Sequence, residues 1–170
     1  MRKLNSKGFS LVELVIVIAI MAVLVGALAP QYLKYVEKAR ISSDKELLQA
    51  FNKTLTYAYM DPEIVKDADS QALINSWGAV FKLEDLMSKP NSGLTQEVLD
   101  TMGIPDCNQA TYESLLKSKH KPNATIYVAY FPRLKNPFTM WITTTDYTGA
   151  GDLSNTTNDP DQIGTCINIQ

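Results

Sequence analysis

The chain contains few of the side chains on which metal and nucleophile chemistry depend. Among its 170 residues there is one histidine, His120, and there are two cysteines, Cys107 and Cys166. A structural zinc site usually takes four nitrogen or sulfur ligands, so these three do not make one. There is no Gly-x-Ser-x-Gly motif, and Thr148-Gly-Ala-Gly151 lacks the lysine of a phosphate loop. We therefore predict no enzyme activity and no cofactor.

Basic residues are in the minority, with 16 lysines and arginines against 18 acidic residues and a formal net charge of −2. Three of the basic residues, Arg2, Lys3 and Lys7, lie within residues 1–8. Without that segment the chain has 13 basic and 18 acidic residues, a net charge of −5. Because phosphate repels an acidic protein, we predict no general binding to nucleic acid.

Charge is absent from residues 14–29, which are apolar almost throughout. A helix from Phe9 to Ala29 would be about 30 Å long, which is enough to cross a bilayer. The positive charges before it predict that the N-terminus stays in the cytoplasm and that the rest of the chain is exported. This pattern predicts a single membrane-inserted helix.

An ordinary signal peptide and a simple membrane anchor both account for the basic and apolar residues. Residues 26–29 (Gly-Ala-Leu-Ala) even resemble a small-x-small cleavage site. Neither alternative explains Glu13, because a carboxylate at the head of an apolar stretch costs roughly 3 kcal/mol in hydrocarbon.

The sequence Lys7-Gly-Phe-Ser-Leu-Val-Glu13 resembles the class III signal of type IV pilins and pseudopilins. The shared features are a short basic leader, glycine followed by phenylalanine, a glutamate four residues later and an apolar helix. The resemblance covers roughly residues 1–40. It implies that a prepilin peptidase cuts between Gly8 and Phe9, that Phe9 is then N-methylated, and that Glu13 acts in assembly.

The resemblance also implies three parts of the chain. Residues 1–8 are the leader, residues 9–30 the helix that lies first in the membrane and later in a filament core, and residues 31–170 the globular head. Lipid and filament core are both apolar, so the helix can pass between them at small net cost. We expect Glu13 to pair with the Phe9 amine of a neighbouring subunit, because each charge is costly to bury alone.

Gly26 and Pro30 weaken the helix near the end of the apolar run, since glycine is flexible and proline lacks an amide hydrogen. Pro30 lies where type IV pilins often carry a helix-disrupting proline. Two interpretations remain open: a kink at the membrane edge, or a segment that loosens when the subunit enters the filament.

Beyond Pro30 the spacing of apolar residues predicts an amphipathic helix that continues to Met60 and ends at Asp61-Pro62. The predicted buried face comprises Val36, Ala39, Ser43, Leu47, Ala50 or Phe51, Leu55 and Ala58. Charged residues between Lys34 and Glu46, Asp44 among them, are expected mostly elsewhere. They either pair between subunits or form a solvated face.

The remaining residues predict a small α+β head on the second half of this helix. Short helices are expected at residues 71–77, 83–87, 95–102 and 109–117. Residues 125–130 and 138–145 predict a β-hairpin with a turn at 132–137, and residues 166–169 a further short strand. A long helix followed by an antiparallel sheet is also the fold that the resemblance implies.

The two cysteines, Cys107 and Cys166, lie far from the apolar run. In an exported domain such a pair predicts one disulfide, which would close a loop of roughly 60 residues and contribute about 3–4 kcal/mol. The alternative is two unpaired buried thiols.

The segment from Gly151 to Asp161 is rich in oxygen ligands, namely Asp152, Asn155, Asn158, Asp159 and Asp161. Some pseudopilins carry calcium near the C-terminus, which makes Asp152, Asp159 and Asp161 calcium candidates. The spacing matches no EF-hand loop, so a polar turn is the alternative.

Asparagine stands in three glycosylation triplets, at Asn52, Asn123 and Asn155. The triplet is short and common in protein sequences. It marks these three positions only as candidates.

Three functions fit the sequence. The first is a structural subunit of a type IV pilus, which is single-pass in the cytoplasmic membrane of a bacterium and then part of an extracellular surface filament used in adhesion or motility. The second is a pseudopilin of a type II secretion or DNA-uptake system. The third is a membrane-anchored binding module that never polymerises. For the first two, the expected partners are copies of the chain, the prepilin peptidase and the inner-membrane assembly machinery.

Overall fold

The computed structural model describes residues 10–118, 124–143 and 163–165 of the chain. Contacts divide the chain into two units with a boundary between Ala39 and Arg40. In chain order the helices and strands are α1 (Leu11–Met60), α2 (Pro62–Lys66), α3 (Ala68–Ser76), β1 (Val80–Lys82), a 3-10 helix (Leu83–Ser88), α4 (Gly93–Met102), α5 (Gln109–Leu115), β2 (Thr125–Tyr130), β3 (Phe138–Thr143) and β4 (Ile163–Thr165).

The four strands form one antiparallel sheet in the order β1-β2-β3-β4. The predicted hairpin is confirmed: β2 and β3 pair along their whole length, from Thr125 opposite Thr143 to Tyr130 opposite Phe138. The intervening turn is closed by the Phe131 amide, which donates to the Pro137 carbonyl at 2.7 Å. The predicted α+β architecture, a long helix with a small antiparallel sheet and short helices, is therefore confirmed.

The core of the unit that begins at Arg40 lies between the second half of α1 and the sheet. Leu48, Phe51 and Leu55 follow each other at helical spacing, and each is 0% exposed. They belong to one buried cluster with residues of β2 and β3, namely Ile126, Val128, Phe138, Met140 and Ile142. The helix is also fixed by Asn52, whose amide donates to the carbonyl of Phe138 in β3 at 2.8 Å.

The buried face of α1 differs in part from the predicted one. Phe51, Leu55 and Ala58 are buried as expected, with Phe51 rather than its alternative Ala50 on that face, but Ala39 is exposed, so its assignment to that face was wrong. Where alanines alternate with longer apolar side chains, the spacing alone is compatible with more than one buried face of the helix. The longer side chains decide the orientation, because they bury more apolar area against the sheet.

Asp44 corrects the prediction that the charged residues of this helix lie away from the core. Its side chain is 1% exposed. The two carboxylate oxygens accept hydrogen bonds from the backbone amides of Lys117, at 2.8 Å, and Ser118, at 3.0 Å. These bonds compensate the carboxylate for lost water. They also explain why the helix predicted at residues 109–117 ends at Leu115: the next residues turn towards Asp44.

The other short helices lie close to their predicted positions, and the one predicted at residues 83–87 is the 3-10 helix Leu83–Ser88. Helix α2 and strand β1 were not predicted. The dipeptide Asp61-Pro62, which was interpreted as the end of α1, also begins α2, because Asp61 accepts a hydrogen bond from the Glu63 amide at 2.8 Å. One turn signal thus both ends a helix and starts the next.

Asp67 connects the start of α3 to the start of α4. Its carboxylate accepts hydrogen bonds from the Ser70 amide at 3.0 Å and the Gly93 amide at 3.3 Å. These bonds, that of Ser70 foremost, lower the pKa of Asp67 below its ordinary value. One carboxylate therefore satisfies amides at the beginnings of two helices.

Two predicted strand segments extend beyond the described residues. The return strand is described as Phe138–Thr143, so residues 144–145 lie outside, as does the whole strand predicted at residues 166–169. The last described strand is instead Ile163–Thr165, which pairs with β3.

Replacing Asp44 tests how strongly its carboxylate holds the Lys117–Ser118 backbone. We expect Asp44→Ala to lower the free energy of unfolding by about 3 kcal/mol, because a buried amide, that of Ser118, and a part-buried one, that of Lys117, lose a charged acceptor. Asp44→Asn keeps one acceptor oxygen and should lose less. The measurement is urea unfolding of the full chain in detergent, with Lys45→Ala, at an exposed neighbour, as control. Equal stability of Asp44→Ala and the control would show that the bonds contribute nothing.

Gly103 ends α4 in a left-handed backbone conformation, with φ of 64°. A Cβ atom there would meet no atom of the described part of the chain within 4 Å, so Gly103→Ala adds backbone strain without a clash with these residues. We expect a loss of about 1 kcal/mol. Gly78→Ala is the matched control, because Gly78 lacks the left-handed φ and its Cβ would meet only an ordinary contact, the Val80 carbonyl oxygen at 3.6 Å. Stability is measured by thermal unfolding. Equal losses of stability in the two variants would show that the left-handed backbone is not the reason for glycine at position 103.

Candidate functional site

The first part of α1 presents apolar side chains on all sides. The large hydrophobic residues between Leu11 and Leu28 are each 50–77% exposed. By length and composition, α1 is the one helix among the described residues that could cross a membrane. Soluble monomers rarely leave a continuous apolar patch above roughly 600 Å² uncovered. This surface therefore requires a lipid or protein environment.

Glu13 lies at the beginning of this apolar surface and makes a local hydrogen bond. Its Oε2 atom accepts from the Ser10 amide at 2.9 Å, while the Ser10 carbonyl accepts from the Leu14 amide at 3.2 Å. Ser10 is thus at the N-cap position and Glu13 three residues further, the geometry by which a capping-box glutamate reaches back to the first free amide. The negative charge also lies at the positive end of the helix dipole.

The sequence carries this signal, since Ser10-Leu-Val-Glu13 matches the pattern of a capping box. Sequence reasoning considered Glu13 only for its charge in an apolar segment and missed the cap. The structure adds that the carboxylate has a partner within its own chain. This bond offsets part of the cost of placing Glu13 in hydrocarbon.

Gly26 and Pro30 lie inside α1, and the helix continues through both. Pro30 has no amide hydrogen for the carbonyl of Gly26, which is four residues earlier. A Cβ atom at Gly26 would meet no atom of the described residues within 4 Å, so no contact with them requires glycine there. Loosening of this segment during assembly stays a prediction.

The predicted cleavage site, between Gly8 and Phe9, lies outside the described residues. The predicted processing and N-methylation therefore stay predictions. So does the pairing of Glu13 with a neighbouring Phe9 amine.

Cys107 is 0% exposed, and it forms no disulfide among the residues that the structure describes. Burial, with a smaller contribution from the charge of Asp106, raises its pKa to about 12, so the unpaired thiol would be unreactive at neutral pH. Its predicted partner, Cys166, lies outside the described residues, and the disulfide stays a prediction.

The calcium candidates Asp152, Asp159 and Asp161, with Asn155 and Asn158, also lie outside the described residues. Within residues 10–118, 124–143 and 163–165, no group of three or more histidine, cysteine or acidic side chains is placed to hold a metal ion.

The structure excludes Asn52 as a glycosylation site. Its side chain is 4% exposed, and its amide nitrogen is bound to the Phe138 carbonyl. Asn123 and Asn155 lie outside the described residues.

Comparison with known proteins gives one finding. Residues 3–29 match the family profile described as the prokaryotic N-terminal methylation motif. No curated protein and no solved structure matches the chain. The match covers residues 3–8 of the predicted leader, Glu13 and the apolar run. The chain thus carries, at residues 3–29, the class III signal peptide of type IV pilin-like proteins.

Proposed function

We propose that this protein is a structural subunit of a type IV pilus, which a prepilin peptidase trims between Gly8 and Phe9 and which then assembles into a helical surface filament. The observation that carries the proposal is the exposed apolar surface of α1 directly after the methylation motif. A single chain leaves that surface uncovered, whereas lipid before assembly and copies of the same helix afterwards both cover it.

The proposed parts of the molecule follow from this transfer. Residues 1–8 are the leader, residues 9–30 the segment that passes from membrane to filament core, and residues 31–170 the head. Before assembly the chain is anchored in the cytoplasmic membrane by α1. Afterwards it belongs to an extracellular filament built by the inner-membrane assembly machinery.

Glu13 has two tasks in this proposal. Within the chain it caps α1 through the Ser10 amide. In the filament it pairs with the amine of a neighbouring Phe9, so that a mis-stacked subunit leaves two buried charges unpaired, at a cost of about 3–5 kcal/mol. The cap holds the carboxylate at the helix start, where an incoming amine can reach it.

Pseudopilins carry the same signal, so the motif alone does not distinguish a surface pilus from a secretion pseudopilus. The size of the head and the Gly-, Asn-, Asp- and Thr-rich composition of residues 146–164 support the pilus. Electron microscopy of sheared surface material tests this choice. Long filaments built from this chain support the pilus, whereas a chain found only in short periplasmic assemblies supports the pseudopilus.

Two substitutions separate the cap from the charge. Glu13→Gln keeps an oxygen that can accept from the Ser10 amide but removes the negative charge, and Glu13→Ala removes both. We expect both variants to be cut after Gly8 and both to yield at least about tenfold fewer filaments, because each leaves the Phe9 amine unpaired. Filament yield is measured by quantitative immunoblot of sheared material, with Glu63→Gln, at an exposed position on α2, as control.

The outcomes distinguish the two tasks of Glu13. Normal filaments from Glu13→Gln together with defective ones from Glu13→Ala would show that capping alone matters. Normal filaments from both variants would contradict any role of Glu13 in assembly.

Mass spectrometry of sheared filaments tests processing and the cysteines together. We expect a mature chain that begins at Phe9, carries one added methyl group, and lacks two hydrogen atoms because Cys107 and Cys166 are joined. Membranes from cells without the peptidase provide the control, with residues 1–8 retained. Filaments whose subunits keep residues 1–8 would refute the processing, and two free thiols would refute only the disulfide.

A further inference from the structure

Two tyrosines, Tyr32 and Tyr35, follow the apolar run on α1, and their side chains are 68% and 69% exposed. Because they are three residues apart, they lie on the same side of the helix. Two lysines nearby, Lys34 and Lys38, are also exposed. We propose that these four residues form an interfacial anchor, which binds the headgroup region of the outer leaflet while the subunit is in the membrane.

The position of the anchor agrees with the thickness of a bilayer. Helical rise places Tyr32 about 28 Å and Tyr35 about 33 Å beyond Glu13 along α1. The hydrocarbon core of a bilayer is about 30 Å thick. When the carboxylate of Glu13 lies at the inner boundary, the two tyrosines therefore lie at the outer one.

The side chains at this position fit a lipid headgroup region. A tyrosine ring is apolar along its length and polar at its hydroxyl, so it is most stable where hydrocarbon meets water. A lysine can lay its methylene chain along the apolar layer and extend its ammonium group to the lipid phosphates. Tyr32 and Tyr35 supply the first kind of contact, and Lys34 and Lys38 the second.

The anchor becomes necessary once the leader has been removed. Arg2, Lys3 and Lys7 hold the inner end of the helix at the cytoplasmic surface, and they are lost with residues 1–8. The processed subunit then retains the tyrosines and lysines at the outer boundary, which keep α1 at one depth until it is extracted. This inference rests on the membrane-inserted state in the proposed function, but not on filament formation.

Tryptophan substitutions locate the anchor in the full, processed chain. Tyr32→Trp, Tyr35→Trp and the control Tyr57→Trp are reconstituted in phosphatidylcholine–phosphatidylglycerol vesicles whose acyl chains carry bromine either near the headgroup or near the chain end. Tyr57 is the matched control because it is 71% exposed on the same helix but belongs to the unit that begins at Arg40. The emission of the native Trp77 and Trp141 is measured in the unsubstituted chain and subtracted from that of each variant.

We expect the tryptophans at positions 32 and 35 to be quenched about twofold or more strongly by the shallow bromines than by the deep ones, and the tryptophan at position 57 by neither. Stronger quenching of positions 32 and 35 by the deep bromines, or no quenching there, overturns the proposal. As a positive control for insertion, Leu24→Trp should be quenched by the deep bromines. Failure of this control would overturn the membrane-inserted state itself, whereas failure confined to positions 32 and 35 overturns only the anchor.

A second measurement tests whether the tyrosines hold the depth. With Leu24→Trp as reporter, Tyr32→Ala/Tyr35→Ala should change the ratio of deep to shallow quenching, and Tyr57→Ala should leave it unchanged. An unchanged ratio in the double variant would show that the tyrosines do not anchor the helix. Because the vesicles contain no assembly machinery, loss of filaments in cells does not affect this result.

Discussion

An apolar helix surface that its own chain does not cover is the constraint on which the rest of this structure depends. Between Leu11 and Leu28 no large hydrophobic side chain is less than half exposed. Water is an unfavourable environment for such a surface, and lipid and sister helices are the favourable ones. The polar features of the segment fit this constraint: the Glu13 carboxylate is held by the Ser10 amide, and the tyrosines follow where the apolar run ends.

The same helix serves a different purpose after Arg40. There one face of the helix carries Leu48, Phe51 and Leu55, which are buried with residues of strands β2 and β3. The polar groups on that face are bound individually: Asp44 by two backbone amides and Asn52 by the Phe138 carbonyl. A single element thus combines a part that needs other molecules with a part that organises a self-sufficient core. This combination suits a subunit that must polymerise without unfolding its head.

The sequence predicted what depends on local pattern. The length of α1, the hairpin of β2 and β3, and the methylation motif each follow from residues close together in the chain. Asp44 could not be placed in this way, because its amide partners are 73 and 74 residues away. Strand β1 has three residues and is defined by its partner β2, so it leaves almost no periodic signal. The Ser10–Glu13 cap could have been predicted from the sequence, because the two residues have capping-box spacing, but Glu13 was interpreted only as a charge in an apolar segment.

Electron cryo-microscopy of native filaments, at a resolution that traces α1, tests the central claim most directly. The account predicts that residues 11–28 of neighbouring subunits lie against one another and fill the filament axis, with the heads outside. Filaments held together by heads alone, with the apolar helices still in lipid or facing water, would contradict it.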